Sequence, residues 1–174
     1  DGMLLLGSNV PFDASKEEQK NLPPMVMANE FAPELELPTV HIDNLTAAFE
    51  AVLYLHELGH HRIACIAGPE SMPLSKYRLR GYIQALRRCG IAEEKSFIER
   101  GDFTYEAGAQ AMLALMSLPQ PPTAIFCHSD VMAIGALSQA KRMGLRVPDD
   151  VSLVGFDDIK LAQYKLGVKP CYCY

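Results

Sequence analysis

One run constrains this chain more than any other: Phe126-Cys127-His128-Ser129-Asp130-Val131-Met132-Ala133-Ile134-Gly135-Ala136-Leu137. Val151-Ser152-Leu153-Val154-Gly155-Phe156-Asp157-Asp158 follows shortly after it. Each reads as an apolar strand that ends on carboxylates, and the first runs straight into an amphipathic helix. The two edges lie about 27 positions apart, the spacing of a βαβ unit whose helix fills the gap. An open parallel sheet offers polar groups to a small ligand in just this way, at strand carboxyl ends beside a helix N-terminus.

The rest of the chain keeps the same alternation. Strands are expected over 2–7, 24–28, 39–42, 62–67, 97–102, 123–127 and 151–156. Helices are expected over 44–58, 75–89, 105–118 and 130–143, with a short one after Asp13 or Ser15 in the polar stretch 11–22. Gly59, Gly90 and Gly144 stand where helices should stop, and Pro119-Gln120-Pro121-Pro122 ends the helix before it. The class is α/β with parallel sheets.

Composition narrows the function classes. With 49% apolar residues, 174 residues suit one or two compact domains. No apolar run is long enough to span a membrane, and no secretory leader is read at the start, so no membrane partner is expected. A net charge of -5 gives no electrostatic footprint for nucleic acid. Five cysteines at irregular spacing are no disulfide framework. Cys65, Cys89 and Cys127 read as small buried hydrophobes in a reducing cytoplasm.

Several residues are candidates for chemistry. Arg78, early in a helix, offers a rigid fork of donors to a carbonyl or hydroxyl; Arg80, two positions on, faces another way. Phe103 follows Gly101-Asp102 at a strand end, where an aromatic either stacks on a flat ligand or fills the core. Asp157 ends a strand and can accept several hydrogen bonds from vicinal hydroxyls or an exocyclic amine. Its neighbour Asp158 reads as a cap. Ser129 and Asp130 stand at the other strand edge, and Asp130 either binds ligand or caps the helix it opens. Asp43 reads as the cap of helix 44–58. His56 and His60 are four apart, but Gly59 breaks the helix between them and no third ligand is placed nearby, so no metal site is expected. No P-loop, G-x-G-x-x-G or G-x-S-x-G occurs, which argues against an enzyme and calls for no cofactor.

Longer motifs carry a resemblance. Leu55-His56-Glu57-Leu58-Gly59-His60-His61-Arg62-Ile63-Ala64 resembles the helix-to-strand joint of the LacI/GalR family of bacterial transcription regulators. Arg78-Leu79-Arg80-Gly81-Tyr82, Gly101-Asp102-Phe103, Pro121-Pro122-Thr123-Ala124-Ile125-Phe126, Ser129-Asp130-Val131-Met132-Ala133 and 147–157 follow in the family's order and spacing. The resemblance covers about 1–164. It implies a two-lobed core of the periplasmic-binding-protein type, present only in part: 1–60 from the N-terminal lobe, 61–164 the C-terminal lobe, and 165–174 an unassigned tail. It implies that the family's helix-turn-helix DNA-binding head and the first βαβ unit of the N-terminal lobe lie outside this chain. Arg78 stands at the family's effector-binding arginine, Phe103 at its ligand-stacking aromatic, and Ser129 at a ligand position that a serine reaches only in part.

Runs 78–91 and 102–141 are most similar to the cytidine-responsive branch of the family. That similarity implies a nucleoside effector, cytidine first, in a cytoplasmic repressor of nucleoside uptake and catabolism genes. The implied partners are operator DNA through the absent head, a second copy in a homodimer, and the cyclic AMP receptor protein. Two other readings stay open on the residues alone: a transport binding protein of the same two-lobed fold, and a small-molecule enzyme on a flavodoxin-like sheet.

Overall fold

The computed structural model describes residues 1–6, 23–29 and 37–161. The short helix expected after Asp13 and the tail 165–174 lie outside the described residues. Two parallel sheets form. The first has the order β1 (Met3–Leu6), β2 (Met25–Ala28), β3 (Thr39–Val40). Its register is set by Met3 opposite Met25 and Met27 opposite Thr39.

The second sheet carries most of the core. Its strands are β4 (Ile63–Ala67), β5 (Ile98–Arg100), β6 (Ala124–Cys127) and β7 (Ser152–Val154). They lie in the spatial order β5-β4-β6-β7, all parallel. Every residue of β4 and β6 is buried. Such runs are expected where helices cover both faces of a sheet. Side-chain alternation divides them: Ala64, Ile66, Ile125 and Cys127 face one layer, and Ile63, Cys65, Ala67 and Phe126 the other.

Helices α1 (Asn44–Glu57) and α2 (Pro73–Arg88) build the layer over Phe126. Helices α3 (Tyr105–Met116) and α4 (Asp130–Arg142) build the opposite one. Helix α1, placed in the first lobe on sequence, packs on the second sheet instead. Its apolar stripe of Ala48, Ala51, Val52 and Leu55 is almost fully removed from water against Ile63, Tyr82 and Phe126. Helical spacing shows which face is apolar but not which sheet covers it.

Boundaries follow local chemistry. Asp43 caps α1 by accepting from the Thr46 amide at 3.0 Å. Past its end Gly59, at φ 93°, lets the His60 amide reach back to the Leu55 carbonyl. Helix α2 starts at Pro73, earlier than expected, because proline at a first helical position gives up no needed donor. The strand expected over 97–102 is shorter, and a 3-10 turn over Lys95–Phe97 leads into it. Of the three cysteines read as buried, Cys65 and Cys127 are, while Cys89 is only half-buried at the end of α2.

At the far edge of this sheet His60 ties three strand starts together. Its ring nitrogens bond the hydroxyls of Thr123 and Ser152, each at 3.0 Å. Partial burial, then the nearby His61, lowers its pKa, which favours the neutral ring. Nδ1 of His56 is bonded to the His60 carbonyl at 3.2 Å.

Helices α3 and α4 approach to backbone contact. A methyl on Gly135 would collide with the Tyr105 carbonyl, and one on Gly108 with the Met132 carbonyl. Overpacking of this kind costs about 1–3 kcal/mol, more than the ~1 kcal/mol that alanine gains over glycine in a helix. Gly135→Ala is therefore expected to lower the urea midpoint of unfolding at unchanged slope. A midpoint that stays or rises would show that the helices do not meet this closely.

Candidate functional site

Topology puts a crevice at one place. The chain leaves β4 for β5 on one side, then crosses back over β4 to reach β6 on the other. The switch point of such a sheet lies between the carboxyl ends of these two strands, where open α/β sheets receive ligands. His128, one residue past β6 and fully buried, spans that gap. Its Nδ1 accepts the Gly68 amide, one residue past β4, at 3.1 Å. The ring proton is then on Nε2, which faces the Cys65 sulfur at 3.4 Å. Burial first, then the Arg78 and Arg100 charges, drops the His128 pKa to about 3, so the ring is neutral throughout the physiological range.

Arg78 enters the crevice from α2 and is only 4% exposed. A buried guanidinium needs partners for its donors. Nε donates to Asn44 Oδ1 at 2.9 Å, Nη1 to the His128 carbonyl, and Nη2 to Asp157 Oδ1 at 3.5 Å. The plane of the group lies over the Phe156 ring, with Cζ 3.7 Å from its centroid. One fork thus joins α1, the end of β6 and the end of β7. Arg80 is exposed and stacks more loosely, 5.4 Å over Tyr77.

Asp157 keeps 41% of its side chain exposed beside the buried Arg78. Desolvation pushes its carboxyl up to about 6; Arg78 opposes the rise and the Asp130 carboxylate adds to it. Its backbone has φ 104° and that of Asp158 φ 50°. Phe103 has φ 68°. Bulky or branched residues rarely hold such angles, which cost of order 1–3 kcal/mol each and gather at binding sites.

The aromatic and the two polar residues of the other edge have different neighbours. The Phe103 ring packs on Gly68: a methyl there would collide with Phe103 Cζ and with Ser75 Oγ. Ser75 Oγ has no hydrogen-bond partner among the described residues although Ser75 is 2% exposed. Ser129 accepts from the Met132 amide and so caps α4. Asp130, left open between ligand and cap on sequence, is the first residue of α4. Its carboxylate accepts the Ile159 amide at 2.9 Å and lies against Gly155. It holds the loop that presents Asp157. Desolvation raises its pKa, with Ile159 opposing.

The structure thus brings Arg78 and Asp157 together, while Phe103 packs on Gly68, whose amide is bonded to the His128 ring. Asn44 and His128 were not singled out on sequence. Asn44 looked like a helix start and His128 like part of an apolar strand. Only the sheet crossing shows that both meet Arg78. Among the described residues no group of three or more His, Cys, Asp or Glu is placed to hold a metal ion, and no helix is long and apolar enough to cross a membrane. With neutral polar edges, one cation, one anion and an aromatic face, the arrangement suits a flat polar molecule bearing hydroxyls or an amine.

Comparison with known proteins agrees with this architecture. Residues 52–167 match the family model of the periplasmic binding protein-like domain. The chain is 75% identical over 164 residues to the HTH-type transcriptional repressor CytR of Escherichia coli (strain K12), covering 94% of this chain and 48% of that protein. It is 40% identical over 167 residues to the HTH-type transcriptional repressor PurR of Shigella dysenteriae serotype 1 (strain Sd197), covering 94% and 49%. A regulatory protein of the LacI family from Chloroflexus aggregans superposes with a TM-score of 0.85 at 35% identity, over 94% of this chain and 59% of that one. The chain spans about half the length of the curated relatives it matches.

The raised Asp157 pKa has a sign that can be checked without ligand. A carboxyl raised on folding stabilises the fold fully below its ordinary pKa, and that contribution is lost as pH rises through about 6. Asp157→Asn is therefore expected to unfold at a higher temperature than the parent at pH ~7 and to match it near pH ~4. Equal melting at both pH values would show that the carboxyl is not perturbed. Arg78→Ala should move the carboxyl titration of Asp157, followed by NMR, further up.

Proposed function

The chain belongs to the LacI/GalR family of transcription regulators through its periplasmic binding protein-like domain, and from that premise we propose that it is the effector-sensing part of a repressor that binds cytidine or a related pyrimidine nucleoside. The reading is carried by Arg78, a buried cation whose fork stands at the sheet's switch point within 3.5 Å of a partly exposed carboxylate. The choice of nucleoside is supported by the 75% identity to a repressor named CytR.

In this reading the ligand enters between two lobes. The first contains β1–β3 and the second contains α1 and the described elements from β4 to β7, so the crossing lies near 41–43 rather than at 60. Phe103 offers its ring to the base. Arg78 donates to a carbonyl or hydroxyl, and ionised Asp157 accepts from hydroxyls or the exocyclic amine. Ser129 and Asp130 shape the edge without giving up their backbone bonds. The ligand is bound and left unaltered. It favours the closed arrangement of the lobes, and that difference in affinity shifts the DNA-binding parts of a homodimer on the operator. The cyclic AMP receptor protein is a further proposed partner at that operator.

Calorimetric titration of the full-length protein with nucleosides and hexoses tests the ligand class. Cytidine is expected to bind best; preference for a plain hexose overturns the nucleoside assignment. Loss of a charge-assisted bond costs about 1.5–3 kcal/mol, or roughly ten- to a hundred-fold in affinity. Arg78→Ala and Asp157→Ala should each weaken cytidine by that much, and Arg80→Ala by less than about twofold. Affinity should also fall as pH is lowered through about 6 in the parent, as Asp157 takes up its proton, and stay flat in Asp157→Asn.

A further inference from the structure

Asn44 is 4% exposed, and both ends of its amide are engaged. Oδ1 accepts Arg78 Nε at 2.9 Å, and Nδ2 donates to the Ile42 carbonyl at 3.2 Å. The Asn44 amide proton also bonds the Ile42 carbonyl, at 2.9 Å. Helix α1 does not need this side chain for its own cap, because Asp43 already supplies that. The two side-chain bonds therefore go elsewhere, one to the crevice cation and one to the segment by which the chain passes from the first sheet to the second.

Geometry explains what such a contact does. A guanidinium on three rotatable carbons has many rotamers, and ligand affinity falls with the freedom it must surrender. Nη1 is held by the His128 carbonyl and Phe156 lies under the plane. A bond to Nε fixes the remaining in-plane rotation. It thereby aims Nη2 toward Asp157.

We propose that Asn44 is a positioning residue for effector binding: its amide oxygen holds the Arg78 fork in the orientation that receives the ligand, and its amide nitrogen ties that fork to the inter-sheet crossing at Ile42. The proposal rests on the nucleoside reading of the site for its affinity arm, and its geometric arm stands without it.

The test uses the full-length protein with Asn44→Ala, Asn44→Asp, Arg78→Ala and the Asn44→Ala/Arg78→Ala pair. Titrated with cytidine, Asn44→Ala is expected to bind about tenfold more weakly. Asn44→Asp keeps the acceptor for Nε and should stay within about threefold of the parent. In the Arg78→Ala background Asn44→Ala should cost nothing further, because its effect travels through Arg78. The same loss in both backgrounds, as a general loosening of α1 would give, overturns the proposal. The ligand-free arm follows the Arg78 Nε–H resonance. It is expected to exchange slowly in the parent and in Asn44→Asp and fast in Asn44→Ala. If the parent's Arg78 Nε–H exchanges as fast as that of exposed Arg80, the proposal is overturned whatever the ligand does. If that proton is held by Asn44 but the parent binds no nucleoside, the effector reading falls and the positioning stands.

Discussion

Placing one cation in the interior organises the second sheet. Arg78 is on a helix that packs on the sheet's face, yet its charge lies at the sheet's end. Taking a guanidinium out of water costs several kcal/mol unless its donors are met. Among the described residues the bonds come from the first turn of α1, the carbonyl after β6 and the carboxylate after β7. Movement of any of these would break a bond to a buried donor. The switch-point crevice is therefore a region of fixed polar geometry in a core that is otherwise apolar.

The acids on the strand ends divide their work along the same line. Asp130 is buried and faces inward, holding the Ile159 amide. Asp157 is partly exposed and pairs with Arg78. Desolvation, with the Asp130 carboxylate adding to it, gives the outer one a raised pKa that a donor-bearing ligand would relieve. Left-handed backbone at Phe103 and Asp157 belongs to the same economy. Positive φ at these two positions is local strain on the order of 1–3 kcal/mol each that the surrounding packing holds in place.

Much of this was legible in the sequence. Runs such as 124–127 and 63–67 could hardly be anything but strands buried on both faces, and the glycine stops located the helix ends. Asp157 was legible as a carboxylate at the end of an apolar strand, and Arg78 through the resemblance, which puts the family's effector-binding arginine at that position. What could not be read was pairing across the sheet. Period-2 alternation says that Ala64 and Ile66 share a face, but not that β5 adds outside β4 while β6 adds on its other side. Until that crossing is known, His128 is one more residue of an apolar strand and Asn44 one more helix start. The same gap put α1 with the wrong sheet, since its stripe of small apolar residues fits either one.

The histidine bridge at the opposite edge has a mechanical consequence. His60 ties the starts of β4, β6 and β7 through two hydroxyls, and His128 ties the ends of β4 and β6. A sheet clamped at both margins resists shear between its strands and turns as one plate. In the proposed function, a ligand bound at the crevice would therefore turn this plate as a unit about the crossing near Ile42 rather than flex it.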